Sequence, residues 1–275
     1  VARLLVCLPL CLVLTPDYPS ERADDAGEDV RVAAQDVVVD KTLPDPAADP
    51  LAFFEACLQR YDARVSGYKL KFVKHEVVQG ARRPLEEVLV AYRDRPYSVL
   101  FVWKEPKNNL VKRALYVEGE NVDSGTGKSR VKVMSSLPFP LDKDPEGAEA
   151  RQQSRFPINT FGLRQAMGQV VKTWRAAKAE NALHVRYLGQ FKVRKTGDRQ
   201  CYKFERTGYA RPEGDDSIGG LTVYVDCGTL LQVGSIVYNT EGKELGQYYF
   251  QEIQLNPQFP DWEFTPAALK KAEAP

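Results

Sequence analysis

The clearest hydrophobic rhythm in the chain is a period of two near its C-terminal end. Residues 221–226 put Leu221, Val223 and Val225 on one side and Tyr224 on the other, and a turn at Cys227, Gly228 and Thr229 leads into an apolar run over 230–238. A second turn at 239–242 hands over to 244–255, where Tyr248 and Phe250 oppose Tyr249. Pro257, with no amide to donate, ends the pairing. Three antiparallel strands are predicted, with large side chains on both sides where a one-sided sheet would alternate more cleanly. Both faces must therefore be covered.

Elsewhere the rhythm changes. Asp49 and Pro50 read as an N-cap and a first-turn proline opening a helix over 51–61, with Leu51, Phe54, Leu58 and Tyr61 on one stripe. After Gly67, Tyr68, Leu70 and Phe72 alternate with lysines, and Val73, His75 and Val77 then take over the apolar register, which predicts a bulge or strong bend. Strands follow over 85–93 and 97–103, then a hairpin of 113–118 with 128–134. Strand character vanishes over 137–161, where Pro138, Pro140, Pro145 and Pro157 punctuate a long connection with a short helix over 146–153. Connections of this length inside a domain are lids, binding loops or disordered. A second clear helix begins after Gly162, with Leu163, Met167, Val170, Val171 and Trp174 on one face. Strands resume over 184–188, 189–194 and 201–206, before a Gly/Asp-rich loop over 208–220. Ten or eleven strands and two helices make an α+β antiparallel design.

With 275 residues, 43% of them hydrophobic, the chain can bury a substantial core. Its net charge of +1 hides an asymmetry: residues 17–49 carry −7 and residues 51–275 carry +7. One arginine and an apolar run within residues 1–14 are too short for a membrane span. This predicts a signal peptide over 1–16, an acidic disordered tether over 17–48, a domain over 49–269 and a tail over 270–275. The expected location is outside the cytoplasm, in the periplasm or cell envelope. Beyond the leader the cysteines are Cys57, Cys201 and Cys227, and Cys201 and Cys227 suit either a cross-strand bridge or free buried thiols.

Chemistry is sparse. His75 and His184 are the only histidines, and both belong to strands. No H-E-x-x-H, G-x-S-x-G or C-x-x-C spacing occurs, so no catalytic or metal-binding residues and no cofactor are assigned. Gly127-Lys128-Ser129 lacks the earlier glycine of a phosphate loop, Val122 standing there, and it joins two strands, so it reads as a hairpin turn. Aromatics beside Lys69 and Lys71 imitate a nucleic-acid stacking platform, but alternating strand aromatics belong to a core and the charge is modest, so no nucleic-acid partner is expected.

Several stretches carry a resemblance: Arg95-Pro96-Tyr97-Ser98-Val99, Trp103-Lys104-Glu105-Pro106, the segment 116–121, and Ser154-Arg155-Phe156-Pro157-Ile158 with Gly162-Leu163. They resemble the exported bacterial family catalogued as domain of unknown function 1571. The ending, from residues 221–226 through Gln232, Gly242 and Phe250 to Asn256, Pro260-Asp261 and Phe264-Thr265-Pro266, is similar to LolA-type outer-membrane lipoprotein-sorting carriers. Together these cover about residues 49–269. The resemblance implies an antiparallel sheet bent into an unclosed barrel, with helices over a concave face that holds acyl chains in such carriers. The resulting expectation is an exported, non-catalytic protein that binds a lipid or lipidated protein in a groove lined by Phe101, Trp103, Tyr224, Tyr248 and Phe250. The segment 137–161 would act as lid, Arg155 would meet an anionic headgroup, and an anionic membrane surface is a further partner. The alternative is an envelope structural or protein-interaction module whose barrel is fully packed.

Overall fold

In the computed structural model, which describes residues 29–38, 40–209 and 218–271, the ladder between the C-terminal strand and the first long strand joins two halves of one sheet. In chain order the strands are β1 (Asp29–Arg31), β2 (Gly67–Val78), β3 (Ala81–Arg82), β4 (Glu86–Arg93), β5 (Ser98–Glu105), β6 (Arg113–Val117) and β7 (Val131–Met134). They continue with β8 (Leu141–Lys143), β9 (His184–Val193), β10 (Arg199–Thr207), β11 (Ile218–Asp226), β12 (Gln232–Asn239) and β13 (Glu244–Leu255). The helices are α1 (Pro50–Arg64), α2 (Ala148–Gln153) and α3 (Leu163–Ala179). Every ladder is antiparallel, in the order β1-β9-β10-β11-β12-β13-β2-β4-β5-β6-β7-β8 with β3 beside β2. The terminal strands of that order, β1 and β8, do not pair with each other, so the bent sheet stays open and the fold is α+β.

Asp49 caps α1 by accepting from the Ala52 amide at 3.0 Å, and Pro50 fills a position whose amide needs no partner. Gly162 begins α3 with φ of 144°, where a Cβ would meet the Gln165 side chain at 2.3 Å and the Tyr92 ring at 3.1 Å. The two helices meet through Phe54 and Trp174, whose ring centroids lie 4.8 Å apart. Beneath them lie Tyr202, Phe204, Val223 and Val225 of β10 and β11.

Residues directly opposite across a ladder share a face. Phe72 opposite Phe250, and Lys74 opposite Tyr248, belong to the helix-bearing face; Tyr224, Gly234, Tyr249 and Val73 follow one another across four strands on the other. That second face is covered too. Ala91, Leu100, Val102 and Leu115 are buried beneath Phe264, Ala268 and Leu269 of the C-terminal segment. Two-sided apolarity in the strands thus has its structural cause.

Four expectations need correction. The acidic segment enters the fold from Asp29: β1 pairs with β9, and Asp40 accepts from Thr42 and pairs with Arg60 at 3.0 Å, so residues 29–38 and 40–48 are not a disordered tether. β2 keeps one register against β4, its ladder to β13 shifts only between Gln251 and Gln254, opposite Lys71 and Lys69, and its inward positions after Phe72 are filled by the buried charges Lys74 and Glu76. The apolar side chains that suggested a phase change simply face the other covered side. The long connection contains the short strand β8, and the strand expected to break at Gly189 is continuous. Residues 1–28 and 272–275, with the expected signal peptide and most of the expected tail, lie outside the described residues.

Candidate functional site

Period-two alternation brings Phe72 of β2, Phe101 and Trp103 of β5, and Tyr248 and Phe250 of β13 onto the helix-bearing face. Phe161, just before α3, lies in their midst, with ring centroids 5.2 Å from Phe72, 4.8 Å from Phe101 and 6.0 Å from Phe250. Flat strands as far apart as β13 and β5 would be separated by about 14 Å at ordinary spacing. One ring touching both shows the sheet curving around Phe161. The strip continues through Phe101 to Trp103 at 5.6 Å, and Phe156 lies 5.5 Å from Tyr248.

The cover over this strip is the stretch from Ser154 to Phe161. Arg155 donates from Nη1 to the Val77 carbonyl at 2.9 Å, and the Tyr97 hydroxyl lies 2.9 and 2.7 Å from the carbonyl oxygens of Ile158 and Phe161, directing its proton between them. Burial pushes the Tyr97 phenol well above its ordinary pKa, with Tyr92 and Tyr116 nearby adding to the shift. It therefore remains a donor. The first turn of α3 is held as the Leu163 amide donates to the Tyr68 hydroxyl at 3.0 Å.

One end of the strip is polar and buried. Lys74 donates to Glu76 at 2.8 Å and to the Ser154 hydroxyl at 3.1 Å, and Glu86 lies 3.5 Å from the same ammonium. Glu76 also accepts from the Tyr248 hydroxyl at 2.9 Å and from Ser154 at 3.2 Å, while Trp103 Nε1 donates to Glu86. One cation and two carboxylates thus share a site closed by a side chain of the cover.

Of the six residues singled out from sequence, Phe101, Trp103, Tyr248 and Phe250 come together, and Arg155 anchors the cover beside them. Tyr224 does not join them. It points to the opposite face, where its hydroxyl donates to Asp29 at 2.8 Å and Lys203 lies over its ring at 5.2 Å. Phe72, Lys74, Glu76 and Glu86 were not singled out as site residues from the sequence, and Phe161 and Ser154 entered only as part of the 137–161 lid. Extending the Tyr68, Leu70, Phe72 alternation by two steps would have found Lys74 and Glu76.

Arg82 approaches His75 Nδ1 at 3.1 Å on the surface, and His184 is exposed at the start of β9. In the 123–129 loop the Asp123 carboxylate accepts from the amides of Gly125 and Thr126, the groups a phosphate would need. Among the described residues there is no group of three or more metal-ligating side chains, and no helix is long and apolar enough to cross a membrane.

A profile described as "Protein of unknown function (DUF1571)" matches residues 65–271. Solved structures similar to this chain include the Pseudomonas aeruginosa MucA/MucB complex, at 13% identity over 80% of this chain and 62% of that one, with a TM-score of 0.46. A DUF1329 family protein from Desulfovibrio piger shares 12% identity over 80% of this chain and 99% of that one, with a TM-score of 0.42. The Mycobacterium tuberculosis lipoprotein LppX shares 10% identity over 75% of this chain and 99% of that one, with a TM-score of 0.41. No curated protein matches the sequence.

Proposed function

The chain belongs to the DUF1571 family, and we propose that it is an exported, non-catalytic carrier that takes a lipid or lipidated protein onto its aromatic strip. The observation that carries this reading is one continuous strip, from Phe250 and Phe72 through Phe101 to Trp103, with a buried charge cluster at its end and a single connecting segment as cover. An amphiphile has the same layout, an apolar chain and a polar head. In this reading the stretch 154–161 lifts, the acyl chain replaces Phe161, and the headgroup meets Lys74 and the guanidinium that Arg155 withdraws from Val77. Exposing one phenylalanine ring costs about 2 kcal/mol, and each buried methylene returns about 0.8 kcal/mol, so three or four methylenes offset the opening.

A second reading draws support from the same rings. Phe72, Phe101, Phe161 and Phe250 are packed at centroid distances of 4.8 to 6.5 Å, as in a finished core, and a packed interaction module needs no ligand. Native mass spectrometry of the chain purified without detergent, followed by organic extraction, separates the two. The carrier reading expects a stoichiometric acyl adduct that Trp103→Ala loses while its melting transition is largely kept. A clean apo mass, with no uptake of a fluorescent fatty acid, would overturn it. Salt-sensitive capture of a protein partner by that lipid-free chain would favour the module.

A further inference from the structure

Ladder directions place the loops 79–85, 106–112 and 135–140 at one end of the sheet, beyond the ends of β2, β5 and β7 and the starts of β4, β6 and β8. Their tips carry exposed large apolar side chains: Leu85 at 50%, Leu110 at 75%, Leu137 at 44% and Phe139 at 55%. Phe156, 49% exposed, lies near the same end, since its neighbour Ser154 bonds to Glu76 of β2. Five of the nine exposed large hydrophobics among the described residues therefore gather here. Single exposed apolar residues need no explanation, but a cluster on separate loop tips does.

Two of these loops are basic. Residues 79–85 and 106–112 hold Arg82, Arg83, Lys107 and Lys112 and no acid, and Lys104 lies just before them; the acids at this end are Glu86 and Glu87 at the start of β4, Glu105, which pairs with Lys107 at 3.2 Å, and Glu244 of β13, which pairs with Arg82 at 3.2 Å. Trp103, Lys104, Lys107 and Lys112 line an open hollow of about 260 Å³ together with Pro106 and Asn109. Apolar tips that project between cations suit the boundary between phosphate headgroups and acyl chains, where each side-chain type finds its own medium.

We propose that this end of the sheet docks on an anionic phospholipid bilayer, with Leu110 and Phe139 inserted and the lysine hollow on a headgroup phosphate. Docking would place Ser154 and Phe156, the start of the cover, against the lipid. It goes beyond the carrier reading and does not depend on it, because a surface can dock without holding cargo.

Flotation of the full chain with phosphatidylcholine vesicles, with and without phosphatidylglycerol, tests the proposal at low salt. The chain should float with the anionic vesicles and stay behind with the neutral ones. Each cation beside an anionic surface changes partition about fivefold, so combining Lys104→Gln, Lys107→Gln and Lys112→Gln should weaken it about a hundredfold. Leu110→Ser with Phe139→Ser should also weaken it, whereas Val122→Ser, an exposed site in the loop at the other end, should not. Absence of flotation, or equal loss in the Val122→Ser control, overturns the proposal. A chain without extractable lipid that still floats overturns the carrier reading and keeps this one.

Discussion

Lys74 and Glu76 stand two positions apart on β2, point to the same buried face and meet at 2.8 Å. Removing one partner of such a pair leaves the other charge in a medium that cannot solvate it, a loss of about 3–5 kcal/mol. Lys74→Met is therefore expected to lose about that much stability in urea unfolding; because Glu86 also lies 3.5 Å from the ammonium, adding Glu76→Leu alone should recover only part of the loss, and adding Glu86→Gln as well should recover more. An unchanged midpoint in Lys74→Met would mean that water already reaches the pair.

The strands that frame this cluster were legible in the sequence because their apolar positions repeat at two, and α1 was legible because Asp49 and Pro50 announce its first turn. The cluster itself was not. Charged residues at inward positions break the hydrophobic pattern, so Lys74 and Glu76 looked like the end of one register and Val73 like the start of another. β1 was hidden for a different reason: three residues are too few to show alternation, and the strand exists through its ladder to β9, some 160 positions later in the chain.

Tyr224 shows how much depends on parity. The ladder runs Tyr224 to Gly234 to Tyr249, and a Cβ on Gly234 would meet both tyrosine rings, at 2.8 Å from Tyr249 and 3.2 Å from Tyr224. A one-residue difference, Tyr248 against Tyr249, decides which face is shared, and a register shift after Tyr224 makes that parity unreadable from spacing alone. Tyr224→Phe should consequently leave lipid uptake unchanged. Losing the hydroxyl bond to Asp29 should instead lower stability by about 1 kcal/mol and speed amide exchange in β1. Weakened uptake with intact stability would return Tyr224 to the site.

The three described cysteines are free and buried. Burial pushes the Cys57 and Cys227 thiols up to about 12 and Cys201 higher still, so the reactive thiolate is scarce at neutral pH. Cys201 lies opposite Asp226, which places the next residue, Cys227, on the other face of the sheet and excludes a bridge. Alkylation with peptide mapping should find all three protected in the folded chain and modified in denaturant. A linked Cys201–Cys227 peptide, or rapid labelling of either residue, would contradict this.

Asp49 gives a prediction with a definite sign in pH. Its carboxyl is held below the ordinary range, chiefly because it accepts from the Ala52 amide, with Lys178 also contributing. A folded-state pKa below the unfolded value, near 3.9 for aspartate, adds stability that is present above that value and lost as pH falls through the folded one. Asp49→Ala should cost about 1 kcal/mol at neutral pH, the usual worth of an N-cap. Asp49→Asn keeps a capping oxygen without titrating, so it should retain most of that stability and narrow the gap to Asp49→Ala less than the native chain does on acidification. Urea midpoints for the three proteins at neutral pH and at successive pH values below about 3.9 measure it, since the unfolded carboxyl there binds a proton that the capped one resists. If the native chain keeps its full advantage over Asp49→Ala in acid, the cap does not depend on the charge.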